Sequence, residues 1–335
     1  MEASRERAIE SVRALLESAG FYVSDAHNIR PTTFDLMARR DSLLVIVKVL
    51  KNIDALDPEE ANRLRILGEL FPAAPLLVGR TSGASELETG VVYNRYGIPI
   101  VVEESLRELL LKGVPPFLFS SPGGIFARID GGRLRELREE RRLSLGALAG
   151  VAGVSRRTIQ LYEEGTGAEM TIVERLEAYL GAPIAMPVEL LAEATVSREG
   201  NLAPGDEPGR PTKSRRRSPV STGDALRDGV FRQLDGMGWE VVVTVRCPFD
   251  ALTKGPVPSE EEILLTAVGS LRAAQHRADV LIKLARVAEG RAFFVVRDAA
   301  PRRSVEGLAV LSVGELKQQR DPDQLLETIS ERENA

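Results

Sequence analysis

The apolar and polar positions of this chain divide it into short alternating elements. Ile9, Val12, Leu15 and Leu16 recur at helical spacing, giving residues 4–19 one apolar face that Gly20 ends. Apolar runs follow at Phe21–Val23, Phe34–Ala38 and Leu43–Leu50, and their content of Val, Ile and Leu between turn residues predicts strands. The segment after Asn52 reads as helical through Leu70. PLLVG at 75–79 and IPIVV at 98–102 then predict buried strands, with a closing helix from Ser105 to Lys112. Strands alternating with helices imply an α/β layered domain over residues 1–115. Pro115, Pro116, Pro122, Gly123 and Gly124 break the periodicity and mark a linker.

Beyond that break, residues 130–194 are patterned as helices alone. Leu134, Leu137, Arg138 and Arg141 share helical spacing, Ser144 stands at an N-cap position, and a short helix rich in Ala, Leu and Gly follows. Gly153-Val154-Ser155 supplies a turn and another cap. Arg156 to Glu163 then forms a third helix with Ile159 and Tyr162 inward. Two short helices joined by a tight turn containing Gly make a helix-turn-helix. Ile172–Leu180 and Pro187–Glu193 read as a fourth and a fifth helix.

LRELREE, the Ser144 cap, Leu148-Ala149, Gly153-Val154-Ser155, Ile159, Glu163 and Gly165 together resemble the Cro/C1-type helix-turn-helix of phage repressors and XRE-family regulators. The resemblance implies that the third helix enters the major groove with its N-terminal turn at the base edges. Arg156, Arg157 and Gln160 fall where family members touch bases or nearby phosphates, and Ser144, Ser155 and Thr158 are counted with them. The chemistry suits the place: Arg bonds guanine in bidentate fashion and Gln does the same to adenine. The bland alternative is that Arg156 and Arg157 form a solvated helix face.

Residues 195–222 are rich in Pro, Gly, Ser and charge and predict a flexible linker. Within it Lys213, Arg215, Arg216 and Arg217 form a basic knot, either a solubilising stretch or an arm laid on DNA phosphates. Residues 223–333 repeat the outline of the first hundred. An amphipathic helix over Asp224–Met237 leads into Gly238-Trp239-Glu240-Val241, which echoes Gly20-Phe21-Tyr22-Val23. Phe249-Asp250 echoes Phe34-Asp35, Phe293–Arg297 echoes Leu76–Arg80, and Gly307–Leu311 echoes Gly97–Val101. In each Phe-Asp pair the Phe is expected to pack inward and the Asp to accept from backbone N–H groups at a strand edge. Arg80 and Arg297, at strand ends, could take an anion at the mouth of a sheet.

The order of elements in the first domain, with Asp35 opening one strand and Lys48 late in the next, resembles the PD-(D/E)xK or restriction-endonuclease-like fold. Active relatives carry an acid two places before the lysine. Here that place holds Ile46, and a hydrocarbon binds no Mg²⁺. Asp35 and Lys48 are therefore expected to be structural, and the second copy has no lysine at all in Ile263–Val268.

Composition adds a few exclusions. A net charge of −5 over 335 residues describes no histone-like coat of basic residues, and sequence-specific binding needs only a local basic surface. The lone Cys247 excludes an internal disulfide and a cysteine-based zinc site, and reads as a small core residue. His27 and His276 fit no metal-ligand spacing, and no Gly-rich phosphate loop or Walker lysine implies a cofactor. No apolar run approaches the roughly 20 residues of a membrane span, so a soluble cytoplasmic protein is expected. The fold expected is a multidomain one, a central Cro/C1-type bundle flanked by two similar, degenerate α/β domains. That layout resembles the helix-turn-helix transcriptional regulators of archaea. It implies a sequence-specific regulator of double-stranded DNA, homodimeric and without enzymatic activity. The alternatives are a metal-dependent DNA nuclease or repair enzyme targeted by its helix-turn-helix, and an antitoxin-like scaffold using that fold for protein contacts. The sequence names no effector.

Overall fold

A computed structural model of the chain describes residues 2–25, 32–191, 222–255, 262–297 and 303–333. Helix α1 (Glu2–Ser18) buries Ile9, Val12, Leu15 and Leu16, and Gly20 follows it at φ +83°, a left-handed position where glycine carries no Cβ penalty. Strands β1 (Tyr22–Asp25), β2 (Leu36–Arg40) and β3 (Leu43–Asn52) pair antiparallel in that order, with Leu36 opposite Val47 and Met37 opposite Ile46. The region after Asn52 is a single 3₁₀ turn over Ile53–Ala55, and helix α2 (Pro58–Leu70) starts only at Pro58. Asp57 accepts from the Glu60 N–H (2.7 Å), and proline at a first helical position loses no hydrogen bond, which together set that start.

Next come β4 (Ala74–Ser82), the short β5 (Ser85–Glu86), β6 (Val91–Arg95) and β7 (Ile98–Val101), then α3 (Glu103–Lys112), which Gly113 ends at φ +68°. The stretch expected to be a linker is instead a β-hairpin, β8 (Leu118–Ser121) and β9 (Gly124–Ile129). Pro122-Gly123-Gly124 is the turn of that hairpin, and the apolar residues on either side are its strands. Strand β8 runs parallel to β6, so hydrogen bonds lead from β4 through β7, β6 and β8 to β9.

Four helices follow: α4 (Gly131–Glu140), α5 (Leu145–Ala152), α6 (Arg156–Glu163) and α7 (Met170–Leu180). No helix forms over residues 187–191. Strand β10 (Ala185–Met186) pairs with β9, and the Val188 N–H donates to the Pro116 carbonyl (2.7 Å). Val188 and Leu190 are buried while Glu189 is exposed, the period of extended chain rather than of a helix.

The C-terminal part contains α8 (Ala225–Gly236), β11 (Glu240–Val243), β12 (Ala251–Lys254), β13 (Ile263–Gly269), α9 (Leu271–Val287), β14 (Arg291–Val296), β15 (Ser304–Val305), β16 (Leu308–Ser312), α10 (Val313–Gln318) and α11 (Pro322–Glu333). Its sheet order is β11-β12-β13-β14-β16-β15, antiparallel through β13 and parallel through β16. Two registers coincide with those of the N-terminal strands. Leu77 faces Ile100 and Val78 faces Val101, as Phe294 faces Val310 and Val295 faces Leu311. The Asp35 N–H donates to Val47, as the Asp250 N–H donates to Thr266 (2.9 and 2.8 Å).

These elements gather into two compact units. One comprises the described parts of Met1–Arg5, Val49–Arg65 and Ala74–Gly209, the other those of Glu6–Lys48, Ile66–Ala73 and Arg210–Ala335. Within the second, α9 covers β1 and Thr33 donates from its N–H to Arg246 and from its hydroxyl to Val245 (2.7 and 3.0 Å). There Arg39 pairs with Glu289 (3.0 Å), and Phe71 meets Phe249 edge-on. Cys247 lies half-buried rather than in the core, directly after Arg246, whose φ is +56°. Among the described residues no helix is long and apolar enough to cross a membrane.

Ser312 and Glu315 close a capping box on α10, and Arg332 of α11 pairs with Glu315 (2.6 Å). Partial burial pushes the Glu315 carboxyl up, but Arg332 and the Ser312 N–H and hydroxyl outweigh it and hold its pKa at about 2 instead of 4.5. A depressed carboxylate stabilises the fold above its unfolded value and loses that contribution as pH falls through its folded value. Glu315→Gln is expected to cost about 1–2 kcal/mol at pH 7 once solvent screening is allowed for. In urea melts the difference from the unsubstituted protein should shrink as pH falls from 4.5 towards 2.

Candidate nucleic-acid interface

Each of the short helices α4 to α6 is defined by a local device in the sequence. Asp130 accepts from the Arg133 N–H (2.9 Å), Ser144 from Ala147 (3.1 Å) and Ser155 from Thr158 (3.1 Å), each satisfying a donor that a helix start leaves open. Gly153 ends α5 at φ +73°, making the tight turn into α6. Helices of this length do not persist alone in water, so packing must hold them. Leu134, Leu137, Leu148, Ala149, Ala152, Ile159, Tyr162, Val173, Leu176 and Leu180 form one buried core, joined by Ala127 and Ile129 of β9.

A buried ion pair sets the direction of α6. The Glu163 side chain at its C-terminal end is 4% exposed, and its carboxylate takes a fork from Arg138 of α4, Nε to Oε1 at 2.6 Å and Nη2 to Oε2 at 3.2 Å. Arg135 adds a third contact at 3.3 Å. The Glu163 hydrogen bond pushes the Arg138 guanidinium up from its ordinary value. Gly131 lets α4 start against this end of α6, since a Cβ there would stand 2.4 Å from the Glu163 carbonyl oxygen.

The loop after α6 is fastened too. Ala168 and Ala127 exchange N–H···O bonds at 3.0 and 2.7 Å, tying the loop to β9. Phe119 of β8 lies against Gly167, where a Cβ would approach its ring to 2.8 Å. The hairpin, anchored on β6, thus holds the segment leaving α6.

The residues expected to meet DNA come together at the start of α6. Ser155, Arg156, Arg157 and Gln160 are exposed, Thr158 is half-buried, and the Ser155 and Thr158 hydroxyls share a hydrogen bond (2.8 Å). Ser144 is exposed at the start of α5. Arg156 and Arg157 diverge. The Arg156 guanidinium lies over the first turn of α5, where a Cβ on Gly146 would sit 3.0 Å from its Nε. Arg157 points away from the core formed by Ile159, Tyr162 and Glu163, as helical periodicity requires. Lys213, Arg215, Arg216 and Arg217 lie outside the described residues. The sequence reading missed Arg138 and Arg135 as partners of Glu163, the role of Gly146, and Leu161, half-exposed one turn beyond Arg157. A helical wheel drawn from the buried positions would have found Leu161; no local spacing announces the pairing between α4 and α6.

The nuclease-like centre has a different character. Asp35 and Lys48 are both buried, and Lys48 Nζ donates to the Thr32 carbonyl (2.7 Å). Ile46 shares a strand face with Lys48 and is buried in its turn. One carboxylate beside a hydrocarbon does not fit a divalent cation, which needs several oxygen ligands. Among the described residues no group of three His, Cys, Asp or Glu side chains could hold a metal. In the C-terminal strands Asp250 is engaged by Arg227 (3.1 Å), Arg277 (3.3 Å) and the Val268 N–H (2.8 Å), and Ala267 stands at the register position of Lys48. Arg80 pairs with Glu86 (3.2 Å) and Arg297 is exposed.

Comparison with known proteins gives two family matches. Residues 5–116 match the PD-(D/E)XK superfamily domain and residues 131–190 a helix-turn-helix domain. The chain is 36% identical to a protein of Halorubrum lacusprofundi over 99% of this chain and 98% of the relative. It is 37% identical to one of Halobacterium salinarum over 98% of each, and 31% identical to one of Archaeoglobus fulgidus over 92% of each. All three relatives are named as HTH-type transcriptional regulatory proteins. No solved structure matches.

Removing the Glu163 carboxylate takes the forked partner from Arg138, whose side chain is largely buried. Glu163→Ala is expected to destabilise the helical bundle by about 3–5 kcal/mol, the usual cost of breaking a buried pair from one side. Hydrogen exchange should show the loss concentrated in α4 and α6, and uniform loss of protection across the chain would contradict this placement.

Proposed function

The chain belongs to the family of archaeal HTH-type transcriptional regulatory proteins, and on that premise we propose that it binds duplex DNA sequence-specifically by laying α6 in the major groove. The observation that carries this reading is the exposed face of α6, held in one direction by the Glu163–Arg138 fork. In this reading Arg157 and Gln160 reach base edges, and Arg156, lying over the first turn of α5 with Ser144 nearby in sequence, serves the phosphate backbone. Ser155 and Thr158 fix the helix start that is presented to the groove. Lys213, Arg215, Arg216 and Arg217 add sequence-independent attraction to phosphates. The binding species is a homodimer, because one recognition helix reads too few base pairs to mark a genomic site. Half-sites then lie about one helical turn apart, roughly 34–36 Å.

The flanking α/β parts are two copies of one degenerate PD-(D/E)XK-type domain, a reading supported by the coincident registers of β4–β7 and β14–β16. We assign them no catalysis: Ile46 removes a metal ligand from the first, and arginines engage Asp250 in the second. Their role in this proposal is architectural.

Binding of the purified protein to fragmented genomic DNA at about 150 mM salt, where nonspecific attraction is screened, tests the main reading. A shared motif with approximate two-fold symmetry is expected, and Arg157→Ala should lose about 1–3 kcal/mol of discrimination at one position of each half-site. Enrichment no better than random would sink the DNA-reading proposal in favour of a protein-contact role. Incubation with supercoiled plasmid and Mg²⁺ or Mn²⁺ is expected to yield no nicks. Cleavage that disappears with Asp35→Ala would establish the nuclease alternative.

A further inference from the structure

We propose that Leu161 is a specificity-determining residue that recognises the C5-methyl group of a thymine in each half-site, an inference that rests on the DNA-reading role of α6. Ile159, Tyr162 and Glu163 are the buried residues of this helix and fix its inward direction. At about 100° per residue, Arg157 and Leu161 lie within about 30° of the opposite, outward direction. Arg156 falls well to one side, in keeping with its place over Gly146. The middle of the outward face therefore pairs a cation with an aliphatic side chain, one turn apart.

An apolar residue at that position needs a reason. Leu143, Leu145, Val154, Met170 and Ile172 are partly exposed too, but all of them pack against the buried core of the bundle. Leu161 instead lies half-buried on the outward side of α6, among its exposed polar side chains. The uncovered part of its side chain leaves hydrocarbon facing water on the side of the helix that Arg157 also occupies. Four polar or charged neighbours, Arg156, Arg157, Gln160 and Glu164, surround it in sequence and are exposed. Such a surface offers little to a broad apolar protein partner. The major groove, by contrast, presents one apolar group among its donors and acceptors, the thymine methyl. A leucine set beside a groove-reading arginine and glutamine matches that mixture. The recognition code of this helix would then combine hydrogen bonds from Arg157 and Gln160 with a methyl contact from Leu161.

The test uses the full-length protein and a random duplex library, selected in parallel with the unsubstituted chain and with Leu161→Ala. The selected site of the unsubstituted protein is then remade with deoxyuridine at each thymine in turn, which removes only the methyl group. One thymine per half-site is expected at which this change weakens binding about fourfold, the effect of uncovering one methyl group. Leu161→Ala should bind the thymine and uracil sites equally and lose its preference at that position alone. Its thermal unfolding should match that of the unsubstituted protein. The proposal is overturned if no deoxyuridine substitution matters, or if the loss is the same in Leu161→Ala. Failure of the unsubstituted protein to enrich any sequence would instead remove the DNA-reading role on which the inference stands. A selected motif that keeps its thymine with Leu161→Ala would overturn the methyl contact and leave that role intact.

Discussion

The central bundle depends on one buried carboxylate. The helices it joins are too short to persist alone, and hydrophobic burial supplies most of their attraction without fixing a direction. Glu163 adds direction. Its two oxygens receive a planar fork from Arg138, and such a fork accepts only a narrow range of orientations. Desolvating these charges has a cost, so the pair is not chiefly a source of stability. It ties the end of α6 to α4, and everything exposed on α6 inherits its direction from that tie. Gly131 belongs to the same device, because only a residue without Cβ allows the two helices to meet there.

A second constraint runs through backbone hydrogen bonds. Strand β8 adds to β6, β9 adds to β8, and Ala127 of β9 holds Ala168 in the loop after α6. The helix-turn-helix is thus built onto the strands of the preceding α/β segment within one compact unit, rather than tethered beyond them. The hairpin's two aromatic residues, Phe119 and Phe126, lie 6.2 Å apart between ring centroids, and Phe119 also covers Gly167.

Much of this was legible in the chain because the signals were local. Ser144 and Ser155 marked helix starts, Gly153 marked a turn, and Ile159 with Tyr162 marked an inner face; each depends on neighbours within one or two turns. Two local signals point away from the structure that forms. Pro122-Gly123-Gly124 reads as the break of a linker, yet apolar residues on both sides make it a hairpin turn. Val188 and Leu190 read as part of a helix, yet Glu189 between them follows the alternation of extended chain. In both cases the deciding partner, β6 for the hairpin and Pro116 for Val188, lies far along the sequence from the signal's own neighbourhood.

By itself the sequence determined most of the helices and strands, the caps that start α5 and α6, the carboxylate missing two places before Lys48, and the set of residues carried by α6. These follow from side-chain chemistry and from periods of two and 3.6 residues. Only the tertiary structure decided what those residues face. The carboxylate of Glu163 could have been a surface charge until Arg138 and Arg135 closed on it from α4. Arg156 and Arg157, adjacent and chemically identical, were separated by a glycine ten residues before Arg156 that left room for one guanidinium alone. Contacts between distant residues depend on how chain segments pack, and packing is a property of the whole fold rather than of any window along the chain.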